Sequence, residues 1–262
     1  MNYLITVLIP TFNDLQGFQR IVEAYSKDER VKILVSDDSD DKYISNSIKN
    51  KCLEQGIVYF EGTKSSPVKN WNKLMKEIDT PFFVLNHHDE YPNNLKFLDL
   101  LESCQIGLIV LPCSSISKNN KVNNIYSWQQ KLFSKICLFF PNASFNILLS
   151  PTASLIVNSK IKNIIFDENL EWFVDCDWYC RLINKIKRNN LKIRFCYKSR
   201  IISIQYKRSI TSKLRNKLTK IINQEKFYLK QKGLMPNYLI SFLQLICLAL
   251  ILLPTKFKKI FI

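Results

Sequence analysis

Short apolar runs alternate with helix-spaced segments through the first 113 residues, and this alternation limits the possible folds more than any other feature. The first run ends at Pro10, and apolar residues at helical spacing follow it. Repeated strand-then-helix units are typical of an α/β protein with a mostly parallel sheet flanked by helices. The sequence therefore predicts a Rossmann-like α/β fold. The predicted strands are 3–9, 31–35, 57–60, 82–85, 106–111 and 154–157, and the predicted helices lie around 15–25, 44–53, 68–78, 95–101, 128–139 and 170–186.

Polar side chains cluster where three of the predicted strands end. Thr11 and Asn13 follow the first strand, the acidic stretch 36–41 follows the second, and the stretch 86–90 follows the fourth. In open α/β sheets, ligands bind beyond the carboxyl ends of the strands. One cluster can hold the base or ribose of a nucleotide, and the other a divalent ion on its phosphates. A single acidic turn is more often a solvated helix cap, but two on one sheet edge predict a nucleotide site.

The net charge of +16 is unevenly distributed along the chain. Residues 1–180 contain 18 Lys and Arg against 21 Asp and Glu, whereas residues 181–262 contain 20 against a single acid, Glu225. A basic block of this kind binds phosphate groups, either of nucleic acid or of an anionic membrane.

The chain ends in a basic, helix-spaced segment at 207–232 and a charge-free apolar run at 238–253. Sixteen helical residues span about 24 Å, which is less than the roughly 30 Å hydrocarbon core of a bilayer. The pattern favours a helix in the membrane interface and leaves open a single span or a buried core helix. We therefore predict a catalytic α/β domain at 1–206 and a basic amphipathic and hydrophobic helical tail at 207–262 that associates with membranes.

The N-terminus has neither a basic stretch before its apolar run nor a small-residue cleavage site. It is therefore predicted to be the first strand and not a signal peptide. This predicts a cytoplasmic catalytic domain, peripheral or monotopic at the inner face of the plasma membrane.

Two other functions fit parts of the sequence. A nucleotidyltransferase also uses a Rossmann-like sheet and a carboxylate-bound metal, but it needs a glycine-rich loop after the first strand, and no glycine precedes Gly17. A non-catalytic protein could bind nucleic acid or a membrane through residues 181–262. The basic segment leads directly into the apolar run, which fits a membrane surface better than nucleic acid. We expect no nucleic-acid partner.

Five motifs in sequence order resemble the GT-A-fold glycosyltransferases of family 2. VLIPTFN and LVSDDSDD are similar to the family's P-T-[YF]-N and V-D-D-G-S-x-D turns, and PVKNWN is similar to its helix before the metal strand. LNHHDE stands where the family has D-x-D or H-x-D-D, and FDENL with VDCDWYCR resembles F-D-E-x-L and E-D-x-D-x-x-x-R. These motifs lie at 7–13, 34–41, 67–72, 85–90, and 166–170 with 174–181.

The resemblance covers about residues 3–208 and implies an inverting hexosyltransferase-like enzyme. Such an enzyme moves a sugar from a nucleotide donor to the hydroxyl of a glycan or lipid-linked acceptor, in surface polysaccharide or glycolipid synthesis. It implies Asp175 as the catalytic base, with Asp177 as a second candidate, and Asp89 with Glu90 as ligands of Mn²⁺ or Mg²⁺. Asn86 replaces the family's leading metal-site Asp, which weakens the expected metal dependence. The implied donor-binding residues are Pro10, Thr11, Asn13, Asp37, Asp38, Lys69, Asn72, His88 and Arg208.

Overall fold

The computed structural model describes residues 3–102, 105–116, 122–124, 127–139, 141–143, 146–204, 217–234 and 246. Strands and helices alternate from β1 to β4, as the sequence predicts, and a second strand, β5, then follows β4 directly. The strands are β1 Ile5–Thr11, β2 Val31–Asp37, β3 Val58–Glu61, β4 Phe82–Leu85, β5 Glu90–Pro92, β6 Ile106–Val110, β7 Cys113–Ile116, β8 Val122–Asn124, β9 Leu155–Asn158, β10 Lys192–Phe195 and β11 Ile201–Ile204. The α-helices are α1 Leu15–Tyr25, α2 Lys42–Glu54, α3 Pro67–Lys76, α4 Ser127–Phe139, α5 Val174–Arg188 and α6 Leu218–Gln231.

The strands form a central sheet and a smaller second sheet. The central sheet has the order β10-β6-β9-β4-β1-β2-β3, and only β9 runs antiparallel to its neighbours. The second sheet has the order β5-β11-β7-β8. This architecture confirms the predicted α/β class with a mostly parallel sheet flanked by helices.

Strand register brings the polar clusters to one edge of the central sheet. Thr11 pairs with Asp37 at the ends of β1 and β2. On the other side of β1, Leu8 pairs with Leu85 at the end of β4. Because these three strands are parallel and adjacent, the turns that follow them lie side by side.

Helices cover both faces of the central sheet and enclose two apolar cores. Residues of α1 and α2 pack on one face, and residues of α3, α4 and α5 pack on the other. Along β1, Val7 and Ile9 belong to the first core and Leu8 to the second, as expected for side chains that alternate across a strand. The strands that lead into the turns at the sheet edge are therefore packed against helices on both faces.

Two of the sequence-based helix assignments differ from the structure. The segment around 95–101 forms a short 3-10 helix, Lys96–Leu100. The helix predicted from residue 170 begins at Val174. The backbone amides of the three preceding residues bind the side chain of Glu225, so this segment approaches α6 before the helix starts.

Helix α6 packs against the α/β core, although the sequence places it in the tail. Leu229 is fully buried, and Ile222, Tyr228 and Leu234 pack against the core that contains α3, α4 and α5. Helix α6 therefore contacts the α/β core, and the border at 206/207 stays a prediction. The apolar run 238–253 lies outside the described residues, apart from Ile246. Among the helices that are described, none combines the length and hydrophobicity needed to traverse a bilayer.

Candidate functional site

Asn13 connects the turn after β1 to the turn after β2. Its φ of 51° lies in the left-handed region, which asparagine tolerates better than most residues. Its backbone amide donates to Ser39 Oγ at 2.8 Å, and its side-chain Nδ2 donates to the Asp40 carboxylate. Its Oδ1 accepts from the Asp41 amide at 3.1 Å. Asn13, predicted to bind the donor, therefore also fixes the geometry of the turn.

The Asp37 carboxylate is buried at the end of β2 and hydrogen-bonded within its own turn. Its Oδ1 accepts from the amide of Ser39 at 3.0 Å and from the hydroxyl of Ser39 at 2.5 Å. The hydroxyl of Tyr59 donates to Oδ2 at 3.3 Å. These contacts fix the orientation of the carboxylate at the rim of the sheet, where a nucleoside is expected.

Asp38 points toward the loop after β3. Its Oδ1 accepts from the Lys64 amide at 2.8 Å, and burial raises the pKa of this carboxyl group. A Cβ on Gly62 would lie 2.0 Å from the same oxygen, so this close approach requires glycine. Pro10 and Thr11 complete this edge in buried positions of β1, and the hydroxyl of Thr11 has no partner among the described residues.

Asn86 builds the turn that follows β4. It is fully buried, and its Oδ1 accepts from the hydroxyl of Tyr25 at 3.0 Å. Its Nδ2 donates to the carbonyls of His87 at 3.0 Å and Glu90 at 2.6 Å. A carboxylate at this position could not donate either bond. The departure from the family motif therefore has a structural reason: Asn86 folds the turn.

The two histidines of this turn differ in their surroundings. Burial lowers the pKa of His87 to about 4, and its ring meets Trp71 edge-on at a centroid distance of 4.8 Å. His88 is half-buried, and its carbonyl lies where a Cβ on Gly17 would come within 2.3 Å. Helix α1 therefore packs directly on the turn that presents the predicted metal ligands.

Glu90 and Asp175 form the second half of the site. Glu90 is 6% exposed, and its Oε2 has no hydrogen-bond partner among the described residues. Burial, together with the charges of Asp89 and Asp175, raises the pKa of Glu90 well above its usual range. Asp175 lies in the first turn of α5, where burial raises its pKa to about 6. Its buried Oδ1 also lacks a partner in the described part of the chain.

Asp177, the second predicted catalytic residue, has a different environment. It is fully buried, and its Oδ2 accepts from Arg181 Nε at 2.9 Å and from Arg181 Nη2. Arg181 Nη1 donates to the Ile165 carbonyl at 2.9 Å. Asp177 therefore tethers α5 to the preceding segment. Its Oδ1, like that of Asp175, is buried without a described partner. Asp177 is fully buried and ion-paired, whereas Asp175 is half-buried, so Asp175 is the more accessible of the two to an acceptor hydroxyl.

Asn72 also has a structural contact that sequence reasoning did not foresee. Its Nδ2 donates to the Phe166 carbonyl at 2.9 Å and to Glu168 Oε1 at 3.1 Å, and its Oδ1 accepts from the Phe166 amide at 2.8 Å. Both amide hydrogens are thus used inside the protein, which leaves Asn72 no donor for a ligand. Lys69, one turn earlier, is exposed, and Arg208 lies outside the described residues.

Glu225 is the site residue that sequence reasoning missed. Its carboxylate accepts hydrogen bonds from the amides of Glu171, Trp172 and Phe173, directly before Asp175. The available signal was that it is the single acid among 20 basic residues in the last 82 residues. Its partners are three backbone amides that lie 52 to 54 residues away in the sequence.

The described residues contain no cluster of three or more His, Cys, Asp or Glu arranged to bind a metal. Mg²⁺ commonly binds through one or two carboxylates together with substrate phosphates, so a nucleotide-dependent site needs no such cluster. Asp89 is half-buried, and its carbonyl accepts from the Ile204 amide at 2.8 Å. Next to it, the unpartnered Oε2 of Glu90 is an available oxygen ligand. These two residues fit a phosphate-bridged divalent ion.

The fold is similar to that of several solved structures, a mannosyltransferase among them. The structure of residues 1–349 of S. aureus TarS with UDP-GlcNAc aligns with a TM-score of 0.59 and 16% identity, covering 80% of this chain and 60% of that one. The mannosyltransferase PcManGT from Pyrobaculum calidifontis, with GDP-Man and Mn²⁺, aligns with a TM-score of 0.55 and 12% identity, covering 81% and 60%. Another structure of TarS aligns at 0.53 and 15% identity, covering 79% and 36%.

These likenesses confirm the predicted glycosyltransferase fold. The chain spans 60% or less of the length of those three structures. A scan against models of known protein families finds no match, and neither does a comparison with curated protein sequences. The roles assigned to single residues stay predictions.

Proposed function

We propose that this protein is an inverting glycosyltransferase of family 2 type, which moves a hexose-like sugar from a nucleoside diphosphate to an acceptor hydroxyl. The observation that supports this most directly is the carboxylate of Asp175, which has a buried, unpartnered oxygen and lies close enough to Glu90 to raise its pKa. The raised pKa of Asp175, about 6, suits a base that must be ionised at neutral pH and still accept a proton.

In the proposed mechanism, Asp175 accepts the proton of the acceptor hydroxyl while that oxygen attacks the anomeric carbon. The bond from the anomeric carbon to the nucleoside diphosphate breaks on the opposite face, through an oxocarbenium-like state. A single displacement of this kind inverts the anomeric configuration. Asp177 supports the base indirectly, because its ion pair with Arg181 fixes the first turns of α5.

We assign donor binding to the turns after β1 and β2, where Asp37 is hydrogen-bonded in a fixed orientation. A divalent ion, when bound, would neutralise the charge that develops on the leaving diphosphate. Asp89 is the residue proposed to hold it, with Glu90 as a second ligand. Burial and the neighbouring carboxylates raise the pKa of Glu90 and so disfavour its charged form, which makes Asp89 the stronger ligand.

We further propose that the enzyme acts at the inner face of the plasma membrane on a glycan or lipid-linked acceptor. The basic and apolar C-terminal sequence supports this. A groove of about 400 Å³ between α4 and β10 supports it too, because its lining is also basic and apolar. The groove shares no residue with the candidate site and is lined by Lys131, Lys135, Leu138, Lys192, Ile193, Arg194 and Phe195.

The test is a thermal-shift screen of nucleotide sugars with and without Mn²⁺, followed by a transfer assay with the donor that binds. A donor that binds the folded state must raise the melting temperature by mass action. Asp89→Asn should abolish transfer and leave the melting temperature unchanged. Glu90→Gln should lower the transfer rate less than Asp89→Asn does. The proposal is wrong if no nucleotide sugar stabilises the protein. Full turnover of Asp89→Asn in saturating Mn²⁺ would remove Asp89 from the site.

A further inference from the structure

The Glu225 carboxylate binds three consecutive backbone amides at the start of α5. Oε1 accepts from Glu171 at 2.6 Å and from Trp172 at 3.1 Å, and Oε2 accepts from Trp172 at 3.1 Å and from Phe173 at 2.9 Å. Glu225 is 6% exposed. Phe173 is the N-cap of α5, and Glu171 and Trp172 precede it. None of these amides has an acceptor within the helix, and a negative charge next to a helix start is favoured by the helix dipole. This contact therefore fixes where α5 begins.

We propose that Glu225 is a positioning residue for the reaction, because it orients the first turn of α5 and with it the carboxylate of Asp175. Asp175 is the second residue of that helix and lies two positions after Phe173. Helix α6 is thereby part of the catalytic architecture, although it lies outside every catalytic motif. This inference rests on the proposed function, in which Asp175 is the base.

The other contacts of α6 fall farther from the base. The hydroxyl of Tyr228 donates to Asp167 Oδ2 at 2.9 Å, and Lys232 forms an ion pair with the same oxygen. Although burial opposes it, hydrogen bonds from Lys232, Asn169 and Tyr228 together lower the pKa of Asp167 to about 2. Tyr228 and Lys232 thus anchor this end of α6 to Asp167, which lies eight residues before Asp175 in the sequence. Among the α6 side chains with described contacts, Glu225 is the one bound to the residues immediately before the base.

Glutamine is an informative replacement for Glu225. It keeps the size of the side chain but has one accepting oxygen, and its amide nitrogen is a donor that faces donors. Glu225→Gln should therefore release one side of the contact while leaving Tyr228 and Lys232 in place. The matched control is Glu171→Gln, the same chemical change on an exposed side chain next to the contact.

The experiment measures kcat, donor KM and amide hydrogen exchange in the full chain. For Glu225→Gln we expect kcat to fall roughly 10- to 100-fold, the loss typical of a displaced catalytic group. Donor KM should stay at the wild-type value, and the amides of residues 171–173 should exchange faster because their acceptor is lost. Glu225→Asp should retain part of the lost kcat, and Glu171→Gln should match the wild type.

Tyr228→Phe separates positioning from general docking of α6. It removes the hydrogen bond to Asp167 and leaves the Glu225 contact intact. If Tyr228→Phe lowers kcat as much as Glu225→Gln at an equal loss of melting temperature, Glu225 has only a structural role and the proposal is wrong. Unchanged kcat with faster exchange at 171–173 also overturns it. If no nucleotide sugar stabilises the wild type, the proposed function fails first, while exchange still reports whether Glu225 holds the segment.

Discussion

The two halves of the candidate site differ in how their polar groups are supported. On the donor side, Asn13 and Asp37 use their polar atoms within neighbouring turns. On the base side, Glu90 and Asp175 each have a buried oxygen without a described partner. Buried polar atoms are nearly always hydrogen-bonded, and exceptions often mark functional positions. Apart from the Thr11 hydroxyl, which also has no described partner, the proposed donor side is thus a preformed scaffold, whereas the proposed base side has buried carboxylate oxygens available for a substrate, a proton or an ion.

The two halves also differ in the range of the contacts that hold them. The donor-side turns follow adjacent parallel strands, whose pairing alone brings them together. The start of α5 is held by Glu225, 52 to 54 residues away in the sequence. The base side should therefore be the more sensitive half to changes far from the motifs.

Truncation after residue 206 tests this difference with the largest expected effect. It removes the Glu225 contact and the fully buried Leu229. Burial of one leucine contributes about 1.5–3 kcal/mol, and a hydrogen bond to a charged group about 1.5–3 kcal/mol. That loss is a large share of a typical stability of about 5–15 kcal/mol. We expect a chain of residues 1–206 to lose cooperative thermal unfolding and all transfer activity. A wild-type melting temperature would instead establish a domain border at 206/207.

Asp175→Asn tests the base itself. The amide preserves the shape of the side chain but cannot accept the proton, so kcat should fall about 10²- to 10⁴-fold. Donor binding, measured by thermal shift, should be unchanged. Asp177→Asn is the control, since the same replacement two residues later weakens the ion pair with Arg181 and should lower the melting temperature more than kcat. The assignment is reversed if Asp177→Asn is inactive and Asp175→Asn is active.

The pH dependence of kcat/KM should report the same carboxylate. Burial raises the pKa of Asp175 to about 6, so the base becomes protonated as the pH falls through 6, not through 4. We expect kcat/KM to fall about tenfold per pH unit below that value, so that pH 5 gives roughly a tenth of the plateau. Glu90→Gln should retain this acidic limb. Loss of the limb in that variant would identify Glu90 as the titrating group.

Sequence patterns predicted the sheet and the edge where the polar residues meet, because both depend on local signals. Apolar runs of strand length define β1, β2 and β4, and parallel pairing then aligns the turns that follow them. Motif spacing also pointed to Asp175 and Asp177. The resemblance implied Asp175 as the base and Asp177 as a second candidate. The ion pair with Arg181 that gives Asp177 a structural role is a feature of the folded helix and is not visible in the motif.

The remaining differences come from contacts between distant segments. Asn72 matches a donor-site motif, yet it bonds Phe166, 94 residues away. Residues 170–173 have a helical pattern, but the amides of 171–173 bind Glu225 instead. A single sequence shows propensity and spacing, and neither indicates which distant side chain will form a hydrogen bond with a given backbone group. Asn86 is intermediate, since its departure from the motif was visible and its double donation to carbonyls was not.

A smaller effect is expected on the donor side. Asp37→Asn keeps an accepting oxygen for Ser39 and removes the charge, so the turn should persist. A contact to the base of the nucleotide is made equally in the ground and transition states, so donor KM should rise more than kcat falls. A rise of about tenfold corresponds to about 1.4 kcal/mol. The control is Asp41→Asn at the N-cap of α2, because asparagine caps helices as well as aspartate. Equal KM values for the two variants would leave Asp37 a turn residue.

The smallest effect on catalysis is expected from deletion of residues 236–262, which retains α6 and the Glu225 contact. The deletion removes the apolar run and three lysines. Kinetic constants with soluble donor and acceptor should therefore stay at wild-type values. An insoluble or unfolded product would show that the run belongs to the protein core.

The same deletion should change membrane binding, because the two contributions to it depend differently on salt. Large apolar side chains contribute about 1.5–3 kcal/mol each when fully buried, and salt does not weaken this term. Basic residues contribute about 1 kcal/mol each near anionic lipid, and salt screens them. Full-length protein should thus stay on anionic vesicles in high salt, and the truncated protein should be released.

Adding Lys192→Glu and Arg194→Glu to the truncated chain should abolish the remaining salt-sensitive membrane binding if the groove between α4 and β10 faces the membrane. Alkaline carbonate extraction of the full-length protein then separates an interfacial helix, which is released, from a true span, which is retained.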